Sequence, residues 1–175
     1  MLDRIAFFPA FFCGLTLLAS PAAAPAAPRE NGHLILAQSA FPPCLDVAQS
    51  ARAQNATRQA LDNLVEQDKR TGAIVPWLAT GWEYRDGGRE LVLSLRHDVT
   101  FSNGQAFDAE AVKENFDTLA RLSKEGLALQ ARGYLAGYEG STVVDRYMVV
   151  LRFSYPKAGF LQALSEKTLS PLASE

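Results

Sequence analysis

The sequence predicts an α/β domain behind an export signal, and three observations carry that reading. An apolar run at the N-terminus leads into a stretch of small residues. Later, the segment ELVLSLR (Glu90–Arg96) alternates leucines with other residues after an Asp-Gly-Gly turn. After that, Asp108 precedes a helical stripe made of Val112, Phe116, Leu119 and Ala120.

The first element is the export signal. Arg4 supplies the positive end, Ile5–Leu18 is an almost unbroken apolar run, and ASPAAAPAAP follows it. That order of charge, apolar core and small-residue exit is the pattern of a secretory signal peptide. The run of 14 residues is short of the ~20 that a membrane-spanning helix needs. Residues 1–26 are therefore read as a signal peptide, with cleavage after Ala22 or Ala26. Cys13 is preceded by Phe11 and Phe12 and lies inside the apolar core, so it does not fit a lipid-attachment cysteine. Residues 27–175 are long enough for one domain.

Composition narrows the function. Seventeen Lys and Arg against nineteen Asp and Glu give a formal charge of −2, which leaves no basic footprint for nucleic acid and no basic amphipathic helix for a membrane surface. With residues 1–26 removed, Cys44 is the one cysteine left, so no internal disulfide frames the fold.

Next come the elements in chain order. Leu34–Gln38 has strand length, and Ser39–Asp46, with Pro42 and Pro43, reads as a loop. Ala56, Ala60, Leu61 and Leu64 fall at helical spacing, which predicts a helix from about Ala48 to Leu64, and Val65 extends its face. Thr71–Gly72 is a turn and Ile74–Trp77 a brief extended piece. Glu83–Arg85 and Glu90–Arg96 form a hairpin about Asp86-Gly87-Gly88, with Leu91, Leu93 and Leu95 on the buried face and Val92, Ser94 and Arg96 on the other. Ser102-Asn103-Gly104 is a second turn. Asp108 caps a helix that carries Glu110 in its first turn and ends at about Leu122. Gly126–Gly140 reads as loop. A weak strand at Ser141–Val144, a turn at Asp145–Arg146 and a strong strand Tyr147–Phe153 make a second hairpin, ended by Pro156. A last helix starts near Ala158 and runs to about Lys167.

The short motifs of nucleotide, zinc and nucleophile chemistry are missing: there is no Walker A loop, no H-E-x-x-H, no C-x-x-C and no G-x-S-x-G. The two histidines are His33 and His97. His97 beside Asp98 is the one candidate acid/base pair, and no nucleophile stands at a fixed local spacing from it. The spacing of His33, Cys44 and His97 does not support a metal site. Glu110 and Glu114 flank an amphipathic helix as a solvated face. Tyr134 and Tyr138, in a glycine-rich stretch, are candidates for lining a ligand cleft, with ordinary loop packing as the alternative. Cys44 is either a buried thiol or a cleft-lining one.

The segment IVPWLATGWEYRDGGRELVLSLRHDVTFSNGQAFDAEAVKENFDTL resembles the N-terminal signature of family 5 extracellular solute-binding proteins, the peptide, nickel and oligopeptide binders of ABC importers. Ile74, Pro76, Leu78, Ala79 and Trp82 open the block. Asp86-Gly87 and Leu95-Arg96 follow, then Val99, Phe101 and Gly104, then Ala109 and Val112 at the helix start. Upstream, Leu45-Asp46 matches the step after the first strand; downstream, Val144-Asp145, Tyr147–Phe153 and Pro156 match the next hairpin, so the resemblance covers nearly all of residues 34–171. These are scaffold residues, with Trp82 and Phe101 in the core.

The resemblance implies a partial lobe of a type II periplasmic-binding-protein fold, a mixed sheet with flanking helices and hairpins. It implies a periplasmic component that captures a small solute, foremost a short peptide, without cofactor or chemistry, and hands it as a monomer to permease subunits. Nickel or metal-chelate binding is the rival within the family. Members of the family are several-fold longer, so Glu175 falls inside the first lobe, and the chain reads as a fragment or as a truncated, non-functional product. A secreted hydrolase using His97 and Asp98 is the reading from another class. Gln38 and Ser39 at the end of the first strand, Cys44, Tyr134 and Tyr138 are the candidate ligand contacts.

Overall fold

The structure is a computed structural model that describes residues 60–172. The calls at Gln38, Ser39 and Cys44, the signal peptide, the strand at 34–38 and most of the helix at 48–64 lie outside the described residues.

Two sheets are present among them. A small one pairs β1 (Val65–Gln67) with β2 (Ile74–Pro76). The larger one has four strands in the order β3–β4–β6–β5, formed by β3 (Ala79–Arg85), β4 (Glu90–Leu95), β5 (Tyr138–Asp145) and β6 (Met148–Phe153). Every described strand pair is antiparallel. Helix α1 (Ala109–Lys124) packs on β5 and β6, and two short helices, α2 (Leu129–Tyr134) and α3 (Phe160–Ala163), follow α1 and β6.

Local chemistry explains most of these elements. Asp86 and Gly87 both take positive φ, 48° and 60°, as a tight hairpin between twisted strands requires, and Gly supplies the second without steric cost. The Asp108 carboxylate accepts from the Ala111 N–H at 3.1 Å and caps α1, while Arg121 and Lys124 sit in its last turn, where they favour the negative end of the dipole. The stripe of Val112, Phe116 and Leu119 is buried against the sheet.

The core forms where that stripe meets one face of the sheet. Leu91 stands opposite Leu151 and Leu93 opposite Val149, all fully buried. Phe116, Tyr138, Phe153 and Phe160 close one end of this core as an aromatic cluster, with Phe153 and Phe160 edge-to-face at 4.6 Å and Tyr138 and Phe153 at 5.9 Å. Trp82 and Phe101 pack partly buried against its rim.

Four expectations need correction. Val65 belongs to β1, and residues 61–64 are not helical. The helical spacing does not carry through to Leu64 and Val65, which are buried because they pair into tertiary structure, with the Ala79 N–H bonding the Leu64 carbonyl at 2.7 Å. Val92 is buried too, opposite Val150, because β4 and β6 are the central strands and are flanked by neighbours on both sides. Gly126–Gly140 contains helix α2 and the start of β5; the buried alanines Ala128 and Ala131 hold α2 against the core. The last helix is one turn long, and a 3-10 turn at Lys167–Leu169 follows it.

A buried polar knot ties the two ends of the described segment together. The Asn63 amide donates to Glu66 at 3.1 Å and to the Ser165 carbonyl, and its oxygen accepts from the Ser170 hydroxyl at 2.8 Å. The Lys167 ammonium pairs with Glu66 at 3.2 Å.

Candidate functional site

The two candidate tyrosines are four residues apart, but they line different cavities. Tyr134 ends α2 and lines an open cleft of about 470 Å³ between α2 and α3. Tyr138 opens β5 and lines a second cavity of about 390 Å³ with Ala120, Lys124 and Arg132.

The Tyr138 hydroxyl is committed inside the domain. It bonds the Asp117 carboxylate at 2.7 Å and meets the Ser141 hydroxyl, and Lys113 engages the other Asp117 oxygen at 2.8 Å. Burial, reinforced by the Asp117 carboxylate, pushes this phenol well above its ordinary pKa, so it stays protonated.

The α2–α3 cleft is built from the segment after β6. The Tyr84 hydroxyl donates to the Ala158 carbonyl at 2.9 Å and accepts from the Leu161 N–H at 3.1 Å, which sets the start of α3. Phe160 then turns inward to the aromatic cluster, while Gln162 and Glu166 face solvent along the cleft. Gly133 and Gly159 line it as well, and the space about both Cβ positions is open. Burial, and then the Glu166 charge, raise the Tyr134 pKa, so the phenol stands near that carboxylate and remains neutral. Lys157 also lines the cleft, but its ammonium donates to the Tyr155 hydroxyl at 3.3 Å and lies 5.2 Å from that ring's centre.

Glu166, Gln162 and Lys157 were not among the sequence candidates. One signal was available: residues 162 and 166 are four apart in the segment read as the last helix, a spacing that places two side chains on one face.

The structure does not assemble the acid/base pair. The Asp98 carboxylate accepts from the Nε and Nη2 groups of Arg96, at 2.9 and 2.8 Å, and that bonding holds its pKa below the usual carboxylate range. The His97 ring stacks on Tyr147, with centroids 4.0 Å apart. Asp98 therefore does not orient His97. Glu110 and Glu114 are exposed on α1. Among the described residues no three His, Cys, Asp or Glu side chains gather as a metal site, and no helix is long and apolar enough to cross a membrane.

Residues 73–174 match the family model for bacterial extracellular solute-binding proteins, family 5, middle region. The chain belongs to this family. Its scaffold block and its hairpins are thus those of family 5, as the resemblance implied. Among curated relatives, the nickel-binding periplasmic protein of Escherichia coli K12 is 32% identical over 94 residues, 54% of this chain and 17% of that protein. Among solved structures, NikA from Brucella suis in complex with Fe(III)-EDTA is 34% identical with a TM-score of 0.58, over 64% of this chain and 22% of that one. The Escherichia coli murein tripeptide binding protein MppA shares the fold at a TM-score of 0.66 and 22% identity, over 75% of this chain and 29% of that one. The family 5 fold is therefore that of a periplasmic binding protein. The chain spans less than a fifth of the length of the curated relatives it matches.

Proposed function

We propose that this chain forms part of the first lobe of a periplasmic substrate-binding protein that captures a small solute and delivers it to the permease subunits of an ABC importer. The family 5 match over residues 73–174 carries this reading. Residues 1–26 act as the signal peptide and the remainder works in the periplasm. No chemistry is done on the solute: binding between two lobes favours a closed form, and the permease reads that form. A non-enzymatic role accords with Arg96 engaging Asp98 in place of His97.

A short peptide is the substrate class that we carry forward from the family pattern, and the fold shared with MppA is in keeping with it. A metal chelate is the second reading: a nickel-binding periplasmic protein is 32% identical and NikA in complex with Fe(III)-EDTA 34% identical, although a glutathione-binding protein is also 32% identical. Tyr134 is the described residue best placed to touch a ligand, with Tyr138 as a wall of the neighbouring cavity. Gln38, Ser39 and Cys44 are kept as contacts on their loop position.

Isothermal titration of the exported product with di- and tripeptides, and with nickel in the presence of L-histidine, separates the two. Heat with peptide alone supports the first reading; heat with the nickel chelate alone replaces it with the second; heat with neither removes both.

A further inference from the structure

We propose that the cleft between α2 and α3 is a subsite for a compact organic cation on a short aliphatic stem, held by the Glu166 carboxylate beside the Tyr134 hydroxyl. Four observations support it. Among the described residues, neither the Glu166 carboxylate, the Tyr134 hydroxyl nor the Gln162 amide has a hydrogen-bond or ion-pair partner, although all three border one cleft. The lining cation, Lys157, is drawn away to the Tyr155 hydroxyl and ring, so among the described residues no ion pair compensates the Glu166 charge. Tyr134, Phe160 and Ala163 also line the cleft, and their apolar atoms suit methylene groups. A volume of about 470 Å³ lies within the ordinary range for small-ligand pockets.

The donor set decides the class of cation. One carboxylate with a neutral phenol and an amide is too poor in anionic oxygen to strip water from a divalent metal. It suits an ammonium, whose three N–H donors match three separate acceptors. The Tyr134 hydroxyl accepts there in its protonated form, and the Gln162 carbonyl completes the set.

The inference rests on the binding-protein reading for the molecule that carries the cation, but not for the cleft itself, and the test keeps the two apart. Saturation-transfer NMR on the exported product with n-butylammonium, at constant ionic strength and against n-butanol, reports on the cleft. Signal for the ammonium is expected in the wild type and lost in Glu166→Gln and in Ala163→Leu, with each variant's fold checked by its melting temperature. Glu166 is exposed, so its substitution leaves the fold intact even where the bulkier Leu does not. No transfer in the wild type, or equal transfer in Glu166→Gln, overturns the proposal. Titration with alanyl-lysyl-alanine and its norleucine counterpart is the second arm. A preference for lysine of at least about tenfold, abolished by Glu166→Gln, is expected from one charge-assisted contact. Peptide binding without that preference overturns the subsite and leaves the function standing. Ammonium binding without any peptide binding keeps the subsite and removes the peptide reading.

Discussion

The Ser170 hydroxyl donates to the Asn63 side-chain oxygen at 2.8 Å across 107 positions of chain, and both residues are buried. The same Asn63 amide reaches Glu66 and the Ser165 carbonyl, so one side chain joins β1 to the turns that follow α3. Asn63→Ala strands a buried hydroxyl and a carbonyl together and is expected to cost about 2–4 kcal/mol in urea unfolding. Ser170→Ala removes one bond and leaves Asn63 its two others, so its cost is expected to be the smaller.

Phe116 is fully buried between Tyr138 and Phe160, with ring centres 6.2 Å from each. Phe116→Ala should destabilise by about 3–5 kcal/mol, the cost of lost transfer energy plus a cavity. Phe116→Leu keeps most of the volume and is expected to cost less than half of that. Equal losses would mean that the cluster is held by ring geometry and not by burial.

Gly137 takes φ of 77°, and a Cβ there would fall on the Tyr155 ring, whose hydroxyl is tied to the Ala136 carbonyl at 2.8 Å. Gly137→Ala therefore meets strain and overlap at once, and a loss of more than about 1 kcal/mol is expected. Gly81→Ala is the matched control, since nothing lies within 4 Å of its Cβ position. Thermal melts of the two variants side by side check the contrast.

The Asp68 carboxylate accepts from the Thr71 N–H at 2.7 Å, the Thr71 hydroxyl at 3.0 Å and the Arg70 N–H at 2.9 Å, and those bonds lower its pKa. A carboxyl depressed in the folded state stabilises above its unfolded value, about 3.9, and loses that contribution as pH falls through the lower folded value. Asp68→Asn is thus expected to flatten the acid limb of the melting curve below about pH 5 and to leave its shape near neutrality unchanged. A limb equally steep in the variant would assign the acid sensitivity elsewhere.

The scaffold was legible because its signals were local. The Asp86-Gly87 turn, the alternation of Leu91, Leu93 and Leu95, and the cap at Asp108 each follow from a few adjacent residues. Failures came where distant chain decided. Leu64 and Val65 look helical by spacing, yet their partners are Ala79 and Pro76. Helix α2 lies in a stretch of glycines, and buried contacts of Ala128 and Ala131 stabilise it, which no window of sequence displays. Tyr134 and Tyr138 could be singled out as aromatics, but their assignment to separate cavities depends on where α3 lands, and Tyr84, about 75 positions away, sets that landing. The pairing of Asp98 with Arg96 in place of His97 is a choice among neighbours that spacing alone leaves open.

Native mass spectrometry of the gene's product, purified from the periplasm of its own host, tests the central claim most directly. The account predicts a species that has lost residues 1–26 and carries a small solute released on denaturation. A species that keeps its leader, or one that is processed, folded and never holds a solute under gentle ionisation, would contradict it.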